Sequence, residues 1–192
     1  MSIVLVGSTS GSITLQEPAV AGSNTISLPA ETGTVITTAS SGQSIPKAAL
    51  PTGSVLQVVN GATSTETSAT TTTQVDTGLT ATITPLYSTS KILVLVSQKI
   101  FCNPNASNNG SGSTVKLLRG ATTLITAERV GLSDGTGAMD NYFSTSYLDS
   151  PASTSALTYK TTMALYQTAA AATVFAQLTS CPSGITLMEI AA

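Results

Sequence analysis

The sequence predicts an all-β protein: an antiparallel, jelly-roll-like β-sandwich of about nine strands, preceded by an N-terminal β-arm of short strands. Threonine and serine account for 34 and 26 of the 192 residues. That composition favours strands and turns over helices. Short alternating or β-branched runs recur between turn-forming residues, which is the spacing that a sandwich requires. We therefore expect very little α-helix.

Changes in composition along the chain predict three parts. Residues 1–40 form the arm, residues 41–53 a linker, and residues 54–192 the sandwich. The linker is rich in serine and contains Pro46 and Pro51, which restrict the backbone. At 192 residues, the chain is long enough for one domain of ordinary size and this arm.

The arm is predicted to consist of very short strands. Ile3–Val6 could add to the edge of a neighbouring sheet, and Ser12–Leu15, Thr25–Leu28 and Thr34–Thr37 read as a meander. Strands of four residues bury too little apolar surface to be stable alone, so the arm must pack against another domain, another copy or a larger assembly. The predicted contact residues of the arm are Ile13, Leu15, Ile26, Leu28 and Val35.

The sandwich opens with a strand over residues 54–59, and Asn60-Gly61 then predicts a turn. The threonine-rich tract 63–73 predicts a polar edge strand, because threonine is β-branched. A further alternating strand follows at residues 79–84.

Two strands of the sandwich are apolar on both faces. Residues 91–101 contain the unbroken run Ile92–Val96, and the last strand, 184–190, carries apolar residues at both parities. A sheet with one face in water would alternate instead, so the second face implies a partner subunit or layer. The predicted contact residues on these strands are Ile92, Val94, Val96, Met188 and Ile190.

The remaining segments complete the sandwich. Two exposed loops are expected at residues 103–113 and 131–140. The other predicted strands are 114–118 and 122–128, which form a hairpin, followed by 141–148, 156–168 and 173–180.

Two sequence segments within about Gly11 to Thr37, GSITL and PAVAGSNTISLPAETGTVIT, resemble a module of tailed-bacteriophage structural proteins, especially fibre-like and capsid-decorating proteins. Segments Lys91–Val94, Lys116–Gly120, Tyr147–Pro151 and Ile185–Ile190 look like the distal β-domain that often follows this module. The resemblance implies a virion protein and leaves head or tail open.

Charge is scarce throughout the chain. Charged residues make up 8% of it, against about 25% in a typical soluble domain, and the net charge is -2. A chain with so little charge tends to associate with other copies, and it lacks the excess of basic residues that attracts the phosphates of nucleic acid. The uncharged stretch after Lys160 is interrupted by polar residues, so we expect no membrane span. The N-terminus lacks signal-peptide features, which predicts assembly in a host cytoplasm.

The sequence contains few residues that could act in catalysis or bind a metal ion. It contains no histidine, which removes the common triads and imidazole metal ligands. Ser44 and Lys47 match the S-x-x-K pattern only in a proline-containing linker. Cys102 and Cys181 are expected to be reduced thiols, and a disulfide is the alternative. The acidic loop Asp134–Asp140 is expected to be a plain turn, with calcium binding as the alternative. We predict no catalytic residue, no cofactor and no metal.

Two functions remain open. The first is a homotrimeric capsid decoration, or cement, protein that binds the major capsid protein or other virion proteins. The alternative is a short tail or head fibre that recognises a host surface receptor. Both place the chain in the virion, and neither is an enzyme.

Overall fold

The computed structural model describes residues 3–6, 12–15, 50–104, 111–133, 137–167 and 172–192. The chain divides into two compact units, residues 1–43 and 44–192. In the first unit, β1 (Ile3–Val6) pairs antiparallel with β2 (Ser12–Leu15). Both strands have the predicted bounds. The predicted strands at 25–28 and 34–37, with the contact residues Ile26, Leu28 and Val35, lie outside the described residues.

The second unit contains ten strands in its described residues, against about nine predicted. Their bounds are β3 (Val55–Thr63), β4 (Thr67–Ala69), β5 (Val75–Ile83), β6 (Lys91–Asn103), β7 (Ser111–Arg119), β8 (Thr122–Ser133), β9 (Met139–Asp149), β10 (Leu157–Leu165), β11 (Thr173–Ala176) and β12 (Ser183–Ile190). All pairings between them are antiparallel.

The order of the strands is that of a jelly roll. Strands β3, β5, β6 and β7 pair in turn with β12, β10, β9 and β8, so the second half of the chain follows the first in reverse. In one sheet the strand order is β3-β12-β6-β9. Two further strands belong to the same sheet: β11 pairs with β6 on the side where β12 lies, and β4 pairs with β11. The other sheet runs β5-β10-β7-β8. The predicted all-β, jelly-roll-like sandwich is confirmed.

The core lies between the two sheets and is formed by inward-facing side chains from both. Along β6 and β12 every second residue is buried, which is the period of two that a strand with one covered face shows. The largest fully buried apolar side chains include Tyr159, Leu79, Ile83, Ile92, Ile100, Leu117, Met163, Leu165, Ile185 and Leu187.

The turn predicted at Asn60-Gly61 is wrong. Strand β3 continues through both residues, and Gly61 pairs with Ile185 of β12. A Cβ atom on Gly61 would lie 2.0 Å from the backbone oxygen of Thr80. The glycine therefore serves the close approach of two backbones where the sheets meet, and not a turn.

Replacing Gly61 with alanine should lower the free energy of unfolding by about 3 kcal/mol, because the added methyl meets a backbone that must shift. Denaturant unfolding monitored by circular dichroism measures the loss. The control is Gly137→Ala, where nothing lies within 4 Å of the new Cβ. Equal stability of the two variants would show that the contact at Thr80 is not tight.

The threonine-rich tract at 63–73 is not one edge strand. Only Thr67–Ala69 forms β4, at the edge of its sheet. On either side the threonine hydroxyls accept hydrogen bonds from the backbone two residues on, from Thr65 N to Thr63 Oγ1 and from Thr73 N to Thr71 Oγ1. These local bonds compete with strand pairing and produce turns.

The expectation of little helix agrees with the described residues, where the helical element is one 3-10 turn at Leu178–Ser180. This turn also corrects the predicted strand 173–180, which ends at Ala176. Gln177 and Thr179 have φ values of 55° and 58°, which an extended strand cannot contain. Within the described part of the chain, no helix is both long and apolar enough to span a membrane.

Candidate interaction surface

The alternation along β6 decides which apolar residues a partner could reach. Ile92, Val94 and Val96, which the sequence proposed as contacts, are at most 4% exposed and face the core. Within the run Ile92–Val96, the outward positions are Leu93 and Leu95. An unbroken apolar run gives no indication of which parity faces inward, so sequence reasoning chose the wrong set on this strand.

On β12 the predicted contacts Met188 and Ile190 do face outward, where they are half-buried. The alternation was readable in the sequence, but the inward parity was not, since Glu189 lies on the same side as buried Ile185 and Leu187. The arm residues Ile13 and Leu15 lie on β2. Their role as contacts remains a prediction.

Strand register aligns the outward residues into rows that cross the sheet. One row is entirely apolar and runs through four adjacent strands, β3, β12, β6 and β9. Its members, called here the apolar row, are Val58, Met188, Leu93 and Leu148. The row on one side is Val55, Ile190 and Lys91, and the row on the other is Asn60, Thr186, Leu95 and Ser146.

Large exposed apolar side chains concentrate on this sheet. Val58 is 56% exposed and Leu148 is 51% exposed. Within the described residues, the exposed large hydrophobic side chains all belong to β3, β6, β9 or the loop between β5 and β6; these are Val55, Val58, Leu86, Tyr87, Leu95, Met139, Tyr142 and Leu148. Contiguous apolar surface, which the apolar row provides, is typical of interaction sites, whereas single scattered residues are not.

The outward face of the four-stranded sheet is polar by contrast. Lys160 Nζ lies 2.9 Å from Asp76 Oδ1, and the hydroxyls of Thr82 and Thr158 are 2.8 Å apart. A shallow depression of about 210 Å³ is lined partly by Lys160 and Asp76. The outward faces of the two sheets therefore differ, because one carries the apolar row and the other carries ion pairs and hydroxyls.

Glu189 lies on the core-facing side of β12, the side opposite the apolar row. It is fully buried, and its carboxylate accepts hydrogen bonds from Gln57 Nε2 at 2.5 Å and from the backbone N–H of Leu86 at 2.8 Å. Burial acts to raise the pKa of Glu189, but these hydrogen bonds outweigh it, and the pKa lies below its usual value. The charged carboxylate thus fixes the loop that carries the exposed Leu86 and Tyr87.

We expect Glu189→Gln to lower the free energy of unfolding at pH 7 by about 2 kcal/mol, because charge-assisted hydrogen bonds are lost. The stability that depends on ionised Glu189 is complete above the unfolded-state pKa and is lost as pH falls through the lower folded-state pKa. The difference between the two proteins should therefore shrink below about pH 4.5. Urea unfolding at a series of pH values measures it. Glu128→Gln, which removes an exposed carboxylate, is the control, and a difference that persists at pH 2 would contradict the assignment.

A second buried carboxylate joins the two sheets. Asp149, at the end of β9, is 5% exposed and accepts hydrogen bonds from Arg119 of β7 at 2.5 Å and from the Tyr159 hydroxyl of β10 at 2.7 Å. Burial and the bond to Asp149 raise the pKa of Tyr159. Sequence reasoning missed this cluster, because its members lie 10 and 30 residues from Asp149.

The two cysteines are unpaired. Cys102 is buried and its thiol donates to the Val130 carbonyl at 3.4 Å, while burial raises its pKa to about 12. Cys181 Sγ lies 3.4 Å from the Tyr142 hydroxyl. The Cys102 thiol is therefore buried and protonated, which makes it unreactive.

The acidic loop offers no assembled metal site in its described part. Asp140 forms a salt bridge of 2.6 Å with Lys99, and residues 134–136 lie outside the described residues. Across the part of the chain that is described, no group of three or more Cys, Asp or Glu residues is placed to hold a metal ion.

No family model and no curated protein matches the sequence. Among solved structures, the chain is similar to VP2 of infectious bursal disease virus in a subviral particle, with 15% identity and a TM-score of 0.41 over 72% of this chain and 34% of that chain. It is also similar to a mutant VP2 of the same virus in derived T=1 particles, with 14% identity and a TM-score of 0.35 over 95% of this chain and 43% of that chain. The chain thus spans less than half of either protein.

Proposed function

We propose that this chain is a non-enzymatic structural protein of a virion, and specifically a homotrimeric decoration protein that stabilises the head shell. The observation that supports this most is the apolar row on one face of an otherwise polar sandwich. In a chain with only 8% charged residues, a face of this kind favours a buried, assembled state over a free monomer. The resemblance of residues 11–37 to tailed-phage modules supports the virion setting.

The mechanism is the burial of apolar surface repeated over many copies. Each contact contributes about 25 cal/mol per Å² of apolar area removed from water. One contact is modest, but a shell holds many, and a protein that binds only the assembled shell stabilises it by mass action. The partners are further copies of this chain and the major capsid protein or another virion protein, met after synthesis in the host cytoplasm.

A structural role also agrees with how the buried polar groups are used. Glu189 and Asp149 are both buried, and each accepts hydrogen bonds from at least two donors. With no histidine in the sequence, a general base near neutral pH would need another origin. We therefore assign the chain no catalytic role.

Imaging of intact particles tests the proposal directly. Reconstruction of the particle from the source virus should show density for this sandwich on the outside of the head, clustered around three-fold positions. A second preparation stripped of this chain should lose that density and break more readily on heating. Particles that carry no copy of the chain would contradict the proposal.

One observation favours the alternative of a host-binding fibre. Cys102, at the end of β6, pairs with Met139 at the start of β9, and Ser111 pairs with Ser133. The end of β6 and the start of β9 are therefore neighbours, as are the start of β7 and the end of β8, which brings the strand ends before and after residues 105–110 and 134–136 together as a recognition tip requires. The fibre function predicts that purified protein binds host cells. Absence of binding at concentrations where whole particles adsorb would exclude it.

A further inference from the structure

We propose that the apolar row packs against the same row of other copies of this chain, around a symmetry axis that lies alongside the outward face of the β3-β12-β6-β9 sheet. This inference rests on the proposed function and adds to it the surface and the partner. The face includes the apolar row, the two rows beside it, and a further row of Ala62, Gly184, Ser97 and Ser144.

The charge of this face suits contact with itself. A contact around a symmetry axis brings the side chains nearest the axis close to their own copies, so an ionic group there would meet a like charge. The apolar row and the next two rows contain no ionic residue in twelve positions. Lys91 lies in the outermost row, at the margin of the face. Within these twelve positions, no like charges therefore oppose contact between copies.

The face also has the size and the layout of an interface centre. Four rows about 6.8 Å apart, crossing four strands about 4.8 Å apart, cover roughly 500 Å². A standard interface buries about 800 Å² on each partner, of which the middle is the most apolar and the rim polar. The apolar row supplies that middle, Ser146 and Ser144 lie toward one margin, and the exposed Leu86 and Tyr87 can add area beyond the sheet.

The opposite sheet does not offer the same chemistry. Its outward face carries Lys160, Asp76 and Lys116 among threonines. Contact of that face with its own copy would remove these charges from water at a cost of several kcal/mol for each ion. The two faces of one sandwich thus provide a matched comparison.

Single-cysteine cross-linking of the full chain tests the inference. In a Cys181→Ser background, which leaves only the buried Cys102, cysteine is placed in turn at Val58, Met188, Leu93 and Leu148. Oxidation should link two copies in at least half of the chains for one or more of these four variants, because only residues near an axis meet their own copy within disulfide reach. The matched control is Thr126→Cys, an exposed position in β8 of the other sheet.

The same samples are weighed by sedimentation before oxidation. Linkage within the apolar row, with Thr126→Cys at background, is the expected result. An oligomer whose apolar-row cysteines do not link would overturn this inference and leave the proposed assembly intact. A monomer at every concentration, with all five cysteines labelled equally fast by a maleimide, would overturn both. Linkage of Thr126→Cys alone would place the contact on the four-stranded sheet and would overturn this inference.

Discussion

Replacing Leu148 with lysine should weaken association between copies at least 100-fold. Leu148 is 51% exposed in one chain, so the substitution is accommodated in the folded subunit. In the assembly it would place an unpaired charge in the apolar row and near its own copies, which costs several kcal/mol. Sedimentation equilibrium over a dilution series measures the dissociation constant, and circular dichroism confirms that the strand content is unchanged.

The matched control is Thr126→Lys, which adds the same charge to an exposed position on the polar sheet. It should change the dissociation constant by less than about threefold, because an exposed charge outside the interface is screened by solvent. Equal weakening by both lysines would indicate a general effect of charge and would contradict the proposed interface.

Replacing Asp149 with alanine should lower the free energy of unfolding by about 3 kcal/mol. The change leaves the fully buried Tyr159 hydroxyl without its acceptor and separates Arg119 from its counterion. Removing one member of a buried pair costs far more than its net contribution, since the remaining groups stay desolvated. Urea unfolding at neutral pH measures the loss.

Asp76→Ala provides the control for this prediction. The Lys160–Asp76 pair is of the same type, but the Asp76 side chain is 61% exposed. Its removal should cost less than about 1 kcal/mol. If both alanine variants lost the same stability, Asp149 would not be the connection between the sheets that its contacts indicate.

Much of the fold could be predicted from local patterns. The period of two and the positions of turn residues located most strands, and the β-branched composition predicted very little helix. Asn60-Gly61 shows the limit of this reasoning, because the same dipeptide suits a turn and the close crossing of two backbones. Only the position of Thr80, which is distant in sequence, distinguishes the two.

The candidate surface was predictable in kind but not in detail. The sequence indicated that the run Ile92–Val96 is apolar on both faces, and the structure places Leu93 and Leu95 outward and the other three residues inward. Which face lies outward depends on the partner strands, which place Leu93 beside Met188 and Leu148 and turn Ile92 toward the core. Likewise, Asp149, Arg119 and Tyr159 meet only because β7, β9 and β10 converge, and no spacing in the sequence encodes that contact.

The central claim is that one face of this sandwich is too apolar to remain in water. Sedimentation of the unmodified full chain at micromolar concentration tests it most directly. We expect a species of about three times the 19.3 kDa chain, with dissociation only on strong dilution. A single species of 19.3 kDa that stays soluble at every concentration would contradict the account.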